Sequence, residues 1–121
     1  MKFRCERDVL VDALNTAGRA VSGRGGSLPV LAGLHLNLSG DQLVVTGSDL
    51  DLTITVDLTV GGDTDGVAVV PSKLLSDVVR SLSAGAVDVV VEDGDAQITA
   101  GRSQFALRTI PADEYLSLIH I

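Results

Sequence analysis

Apolar and polar residues along this chain change period in the same order twice. Residues 1–5 alternate Met1, Phe3 and Cys5 against Lys2 and Arg4, the period of a strand with one buried face. From about residue 6 to 20 the period lengthens: Leu10, Leu14, Ala17 and Val21 recur at helical steps, with Arg7, Asp12, Asn15 and Arg19 on other faces. Gly18 weakens the end of that predicted helix, and the glycines at 23, 25 and 26 end it. Alternation then returns with Leu34, Leu36 and Leu38 against His35 and Asn37, a Ser39-Gly40-Asp41 turn, a strand over 43–46 and a Gly47-Ser48 turn. The longest alternation sets Leu50, Leu52, Ile54, Val56 and Leu58 against Asp49, Asp51, Thr53, Thr55 and Asp57, which predicts one dry face and one wet face.

The second half repeats the scheme. Residues 66–70 read as a strand, and Pro71 stands where a first helical turn tolerates a missing N–H. Leu74, Leu75, Val78 and Leu82 form the predicted apolar stripe of a helix over about 71–82, opposite Lys73, Ser76, Asp77 and Arg80. Val87, Val89 and Val91 alternate with polar neighbours, Asp93-Gly94-Asp95 turns the chain, and strands follow over 97–100 and 105–110, separated by Gly101-Arg102. Each half offers one helix and four strands. The expected class is therefore α+β: two helices, related by an approximate two-fold axis, packed side by side on one face of a curved antiparallel sheet.

A chain of 121 residues is enough for one such domain and not for two. No apolar run approaches the ~18 residues of a membrane span, and the basic start leads into an amphipathic helix instead of a signal-type apolar core, so a cytoplasmic location is expected. The single cysteine, Cys5, cannot form an internal disulfide and occupies an inward strand position, so it is expected to pack as a small hydrophobe.

The net charge of −7 argues against nucleic acid as a partner when taken whole. Its distribution changes that reading. All nine Lys and Arg fall before residue 25 or after residue 72, and between them lie only acids. Both predicted helices belong to the basic segments and the longest strand to the acidic one, so the helical side should be less negative than the sheet side. That asymmetry suits a protein meeting phosphate on one face, although ordinary surface pairs of Lys73 with Asp77 and Asp77 with Arg80 explain the same residues.

Catalytic signals are absent from this reading. Asp49 and Asp51 form a D-x-D, which strand alternation beside a turn already explains, so no metal site is expected. His35 has no Cys or second His at ligand spacing and reads as a partly exposed structural histidine. No serine sits in a G-x-S-x-G elbow, and Gly23-Arg24-Gly25-Gly26 lacks the pattern of a phosphate loop. Neither an enzyme nor a cofactor is expected.

Four segments, LPVLAGLHLNL (28–38), VTGSDLDLTITV (45–56), VVPSKLLSDVVRSL (69–82) and GRSQFALRTIPADEY (101–115), stand in the order and spacing of the bacterial DNA polymerase III sliding clamp, the beta subunit. Residues 1–115 resemble its amino-terminal domain, of actinobacterial type. The resemblance implies a DNA-clamp fold and a non-catalytic processivity factor of the replicative polymerase. Such a protein is a head-to-tail homodimeric ring of three domains per subunit that slides on duplex DNA without reading sequence, with the clamp loader and DNA polymerase III as partners. It implies DNA contact by Arg24 in the loop after the first helix, by Lys73 and Arg80 on the second helix and by Arg7 on the first. It also implies a subunit interface at the last strand, at Arg102, Gln104, Phe105 and Leu107. The alternation of Phe105 and Leu107 equally permits both to face the domain's own core.

After Tyr115 the resemblance stops. Residues 116–121, Leu-Ser-Leu-Ile-His-Ile, match one reading frame of a common transposon-end sequencing adapter, so they are expected to be a non-native tail on a truncated chain that is monomeric in isolation. A module using the helix face to bind another protein, without DNA, remains the alternative.

Overall fold

The structure, a computed structural model, describes residues 1–21 and 32–111. The chain runs β1 (Lys2–Glu6), α1 (Arg7–Gly18), β2 (Gly33–Ser39), β3 (Gln42–Ser48), β4 (Thr53–Thr59), β5 (Gly61–Thr64), β6 (Gly66–Pro71), α2 (Ser72–Ser81), β7 (Ala86–Glu92), β8 (Asp95–Ala100) and β9 (Ser103–Arg108). The repeat read from the sequence is thus present as strand, helix and three strands, twice, with β5 between the halves.

The strands form two antiparallel sheets, ordered β5-β1-β7-β8-β9 and β4-β3-β2-β6, where one curved sheet was expected. The division follows from an exchange between halves. The first strand of each half pairs with the second strand of the other: β1 with β7, Phe3 opposite Val89, and β6 with β2, Ala68 opposite Leu36. Setting β5 aside, β1-β7-β8-β9 and β6-β2-β3-β4 are the same arrangement, which is the approximate two-fold the repeat called for. The sheets meet where the β2–β3 turn reaches β5, with Val60 N–H donating to the Asp41 carbonyl at 2.8 Å, Gly62 N–H to Asp41 Oδ1 at 3.0 Å and Gly40 N–H to Asp65 Oδ1 at 2.8 Å. The approach is so close that a Cβ on Gly62 would run into the Gly40 carbonyl. At another junction Ile110 N–H donates to Val69 O at 2.8 Å.

One core joins the inward residues of both sheets to both helices. Phe3, Val87, Val89 and Ile98 come from one sheet and Leu34, Leu36, Leu43 and Val45 from the other, with Leu10, Leu14, Leu75 and Val79 from the helices. Gly47 on β3 lies directly under the end of α1, where a Cβ would collide with the Ala17 carbonyl. Cys5 is buried, and loss of water pushes its thiol up to about 11, so it packs as an inert hydrophobe.

Several local expectations are corrected. Gly47 and Ser48 are the last residues of β3, and the turn lies at 49–52; Leu50, with φ of 80°, and Leu52 are each 50% exposed instead of joining the dry face. Asp49 Oδ1 accepts from Asp51 N–H (2.9 Å) and Leu52 N–H (2.7 Å), so this aspartate builds the turn. On α2 the buried stripe is Leu75, Val79 and Leu82, while Leu74 is 54% exposed. His35 is 1% exposed, not partly exposed: β2 lies inside its sheet, and its neighbours across the ladder, Thr46 and Val69, are buried with it.

Candidate nucleic-acid interface

The two helices lie side by side and antiparallel. Arg7, opening α1, donates its N–H to Gly85 O just beyond α2 at 2.8 Å, while Gly18, closing α1, lies against Ser72, opening α2. Their outward faces therefore form one surface. It carries as many cations as anions, Arg7, Lys73 and Arg80 against Asp8, Asp12 and Asp77, so the excess of acids belongs to strands, turns and connections.

The basic side chains are not all on this side. Lys2, Arg4 and Arg108 project from the outer faces of strands and pair there with Asp63 (3.6 Å), Asp88 (2.8 Å) and Asp95 (3.9 Å). The Arg4 guanidinium, bidentate on Asp88, holds that carboxyl below the usual carboxylate range, although both groups are well solvated. Confinement to the basic segments of the sequence is thus not confinement to one face, because β1 and β9 share those segments.

On the helix surface the expected residues differ in availability. Arg80 is half exposed, with Nη2 on Asp77 at 2.5 Å and Nε on Ser76 O at 3.3 Å. Lys73 is exposed and makes no ion pair among the described residues. Arg7 is only 24% exposed, with Nη1 on Asp8 at 2.8 Å and Nη2 on the Arg80 carbonyl at 2.6 Å. Arg24 lies outside the described residues.

The expected interface strand, β9, is the outer strand of its sheet. Phe105 stands opposite Ile98 and Leu107 opposite Ala96, so both point to the core face of the sheet. Leu107 packs on the core, whereas Phe105 remains 38% exposed, since among the described residues no further strand extends the sheet beyond it. Gln104 and Arg102 are exposed, Arg102 beside the left-handed Gly101. A shallow hollow of about 260 Å³ between α1 and β4, lined by Val9, Ala13, Val56 and Leu58 and rimmed by Asp12 and Asp57, has no counterpart in the sequence reading. Val56 and Leu58 were legible as inward, but not that β4 would be an edge. Among the described residues no three His, Cys, Asp or Glu are placed to hold a metal, and no helix is long and apolar enough to cross a membrane.

The family model described as "DNA polymerase III beta subunit, N-terminal domain" matches residues 1–119. The beta sliding clamp of Micrococcus luteus is 34% identical over 118 residues, covering 98% of this chain and 38% of that protein, and that of Streptomyces coelicolor is 35% identical over 98% of this chain and 31% of its own length. Among solved structures, the DNA polymerase sliding clamp from Bacillus subtilis superposes with a TM-score of 0.90 at 30% identity, covering 95% of this chain and 32% of that one. A Pseudomonas aeruginosa sliding clamp gives 0.88 at 33% identity. The chain spans about a third of the length of these relatives. Matched from its first strand through the expected interface strand, this chain belongs to the family of the DNA polymerase III beta subunit, as its N-terminal domain.

Proposed function

We propose that the chain is the first domain of a ring-shaped clamp that encircles duplex DNA, slides on it and acts as a non-catalytic processivity factor of the replicative polymerase in the cytoplasm. The observation that carries this reading is the helix face: within a chain of net charge −7 it presents as many cations as anions, with Lys73 and Arg80 exposed. Phosphate contacts from such side chains hold a duplex without reading its bases, which sliding requires. Lys73 and Arg80, with Arg24, which follows α1 in the sequence, and Arg7 beside Arg80, form the DNA-binding set. The full-length protein is a homodimeric ring that meets the clamp loader and DNA polymerase III.

Ring closure uses β9. Phe105 and Leu107 offer an apolar strip on an outer strand, and Arg102 and Gln104 flank it. The contact is heterologous, between β9 of one subunit and a different domain of the next, so the present chain lacks the matching surface and is a monomer by itself. Two measurements test the reading. Light scattering at micromolar concentration should give the monomer mass, and a stable discrete dimer contradicts this account of β9. Retention on immobilised duplex should be weak, equal for unrelated sequences and abolished by salt; absence of retention at low salt favours a module that binds protein through the same face.

A further inference from the structure

We infer that Arg7 is a positioning residue, which caps the C-terminal end of α2 and so holds Arg80 where it can meet phosphate. The inference rests on the reading of the helix face as a duplex-binding surface and changes the role of one member of it. Leu82 leaves α2 with extended backbone (φ −76°, ψ 156°), so the carbonyls of the last turn have no helical partners. Each of three is satisfied differently. Val79 O accepts from Leu82 N–H at 3.2 Å, Val78 O from Ser81 Oγ at 2.7 Å, and Arg80 O from Arg7 Nη2 at 2.6 Å. The last of these bonds crosses from α1 to α2 and brings a cation to the negative end of the helix, where a charged donor is worth most.

The Arg7 guanidinium is occupied on both Nη atoms, by Asp8 and by the Arg80 carbonyl, and its Nε is buried with no acceptor among the described residues. With the Arg7 N–H also fixed on Gly85 O, the residue is tied to the end of α2 at both backbone and side chain. Arg80 is arranged the opposite way. Its carbonyl is held from behind by Arg7, while its side chain lies over α2 on Ser76 O and Asp77 with 53% of its surface open. Both guanidinium groups are bonded within the protein, but Arg7 is the enclosed one and Arg80 the one open to solvent.

Duplex affinity against salt separates this role from direct phosphate contact and from simple support of the fold. The chain itself is used with a fluorescent duplex of about 20 base pairs at about 20–100 mM salt, where even weak phosphate contacts register. Arg7→Met keeps the aliphatic stem and removes the donors. Arg7→Met, Arg80→Ala and the double variant should each lower the log–log salt slope by the same amount, about 0.9, the value of a single phosphate neutralised. A drop of about 1.8 in the double variant makes Arg7 a phosphate ligand in its own right and overturns the inference. An unchanged slope for Arg7→Met, whatever its thermal stability, reduces it to a structural tie and overturns it too. If Arg80→Ala leaves the slope unchanged, or the parent chain does not bind at all, the reading of the helix face fails first, and the inference with it. Should Arg7→Met not fold, Arg7→Gln, which keeps N–H donors for the carbonyl but carries no charge, is compared instead, alone and with Arg80→Ala, and a slope reduction in the pair greater than in Arg80→Ala alone contradicts the inference.

Discussion

At the scale of single residues, His35 shows how burial and titration are linked. It sits at 1% exposure between Thr46 and Val69, and loss of water lowers its pKa below the ordinary value of 6.5. The unfolded chain therefore takes up a proton before the folded one does as pH falls. Stability should be full above about pH 7 and should decline as pH drops through 6.5 toward the folded value. Urea unfolding at about pH 7.5 and 5.5 should show a lower midpoint at the acid value, and His35→Asn should remove most of that difference. His120 is common to both proteins and does not affect the comparison. Alternation correctly placed His35 on the face opposite Leu34 and Leu36, but exposure of that face depended on neighbours far away in sequence. Leu50 was illegible for another reason. A leucine at φ 80° carries no turn signature, unlike Asp93-Gly94, whose left-handed pair was readable in the sequence and closes β7 onto β8.

At the scale of elements, hydrophobic period determined type and order more securely than it determined faces. Both helices and eight of the nine strands follow the two repeats of the pattern. β5 was missed because Gly61-Gly62-Asp63-Thr64 has no apolar alternation; it exists through backbone pairing to the outer side of β1 and through the Asp41 and Asp65 carboxylates. On α2 the stripe was rotated toward Leu74, since two adjacent leucines leave a ten-residue helix with two nearly equivalent apolar arcs. Packing against β2 and β6 selects the arc of Leu75 and Val79. Leu75→Ala should accordingly cost about 2–5 kcal/mol in denaturant unfolding. Leu74→Ala should stay within about 0.5 kcal/mol, and equal destabilisation by the two variants would mean that the helix presents its other arc to the core.

At the scale of the whole molecule, the repeat explains why the two halves cannot part: each contributes its first strand to the other's sheet, and a single core runs beneath both helices. The same exchange sets α1 and α2 antiparallel and leaves β4 and β9 as outer strands, one beside α1 and the other carrying Phe105. The candidate site was legible as residue types and as a charge imbalance. Which cations are free was not, because strand pairing drew Lys2, Arg4 and Arg108 to acids on the sheets and the end of α2 drew in Arg7. The claim that Arg24, Lys73 and Arg80 hold duplex phosphate without reading sequence is tested most directly by the salt dependence of binding in a clamp of full length. Replacing Arg24, Lys73 and Arg80 together by Ala should weaken binding equally for unrelated duplexes and reduce the log–log salt slope by about 0.9 for each phosphate no longer neutralised. A slope identical to that of the parent protein would show that these side chains are surface charges with no part in holding DNA.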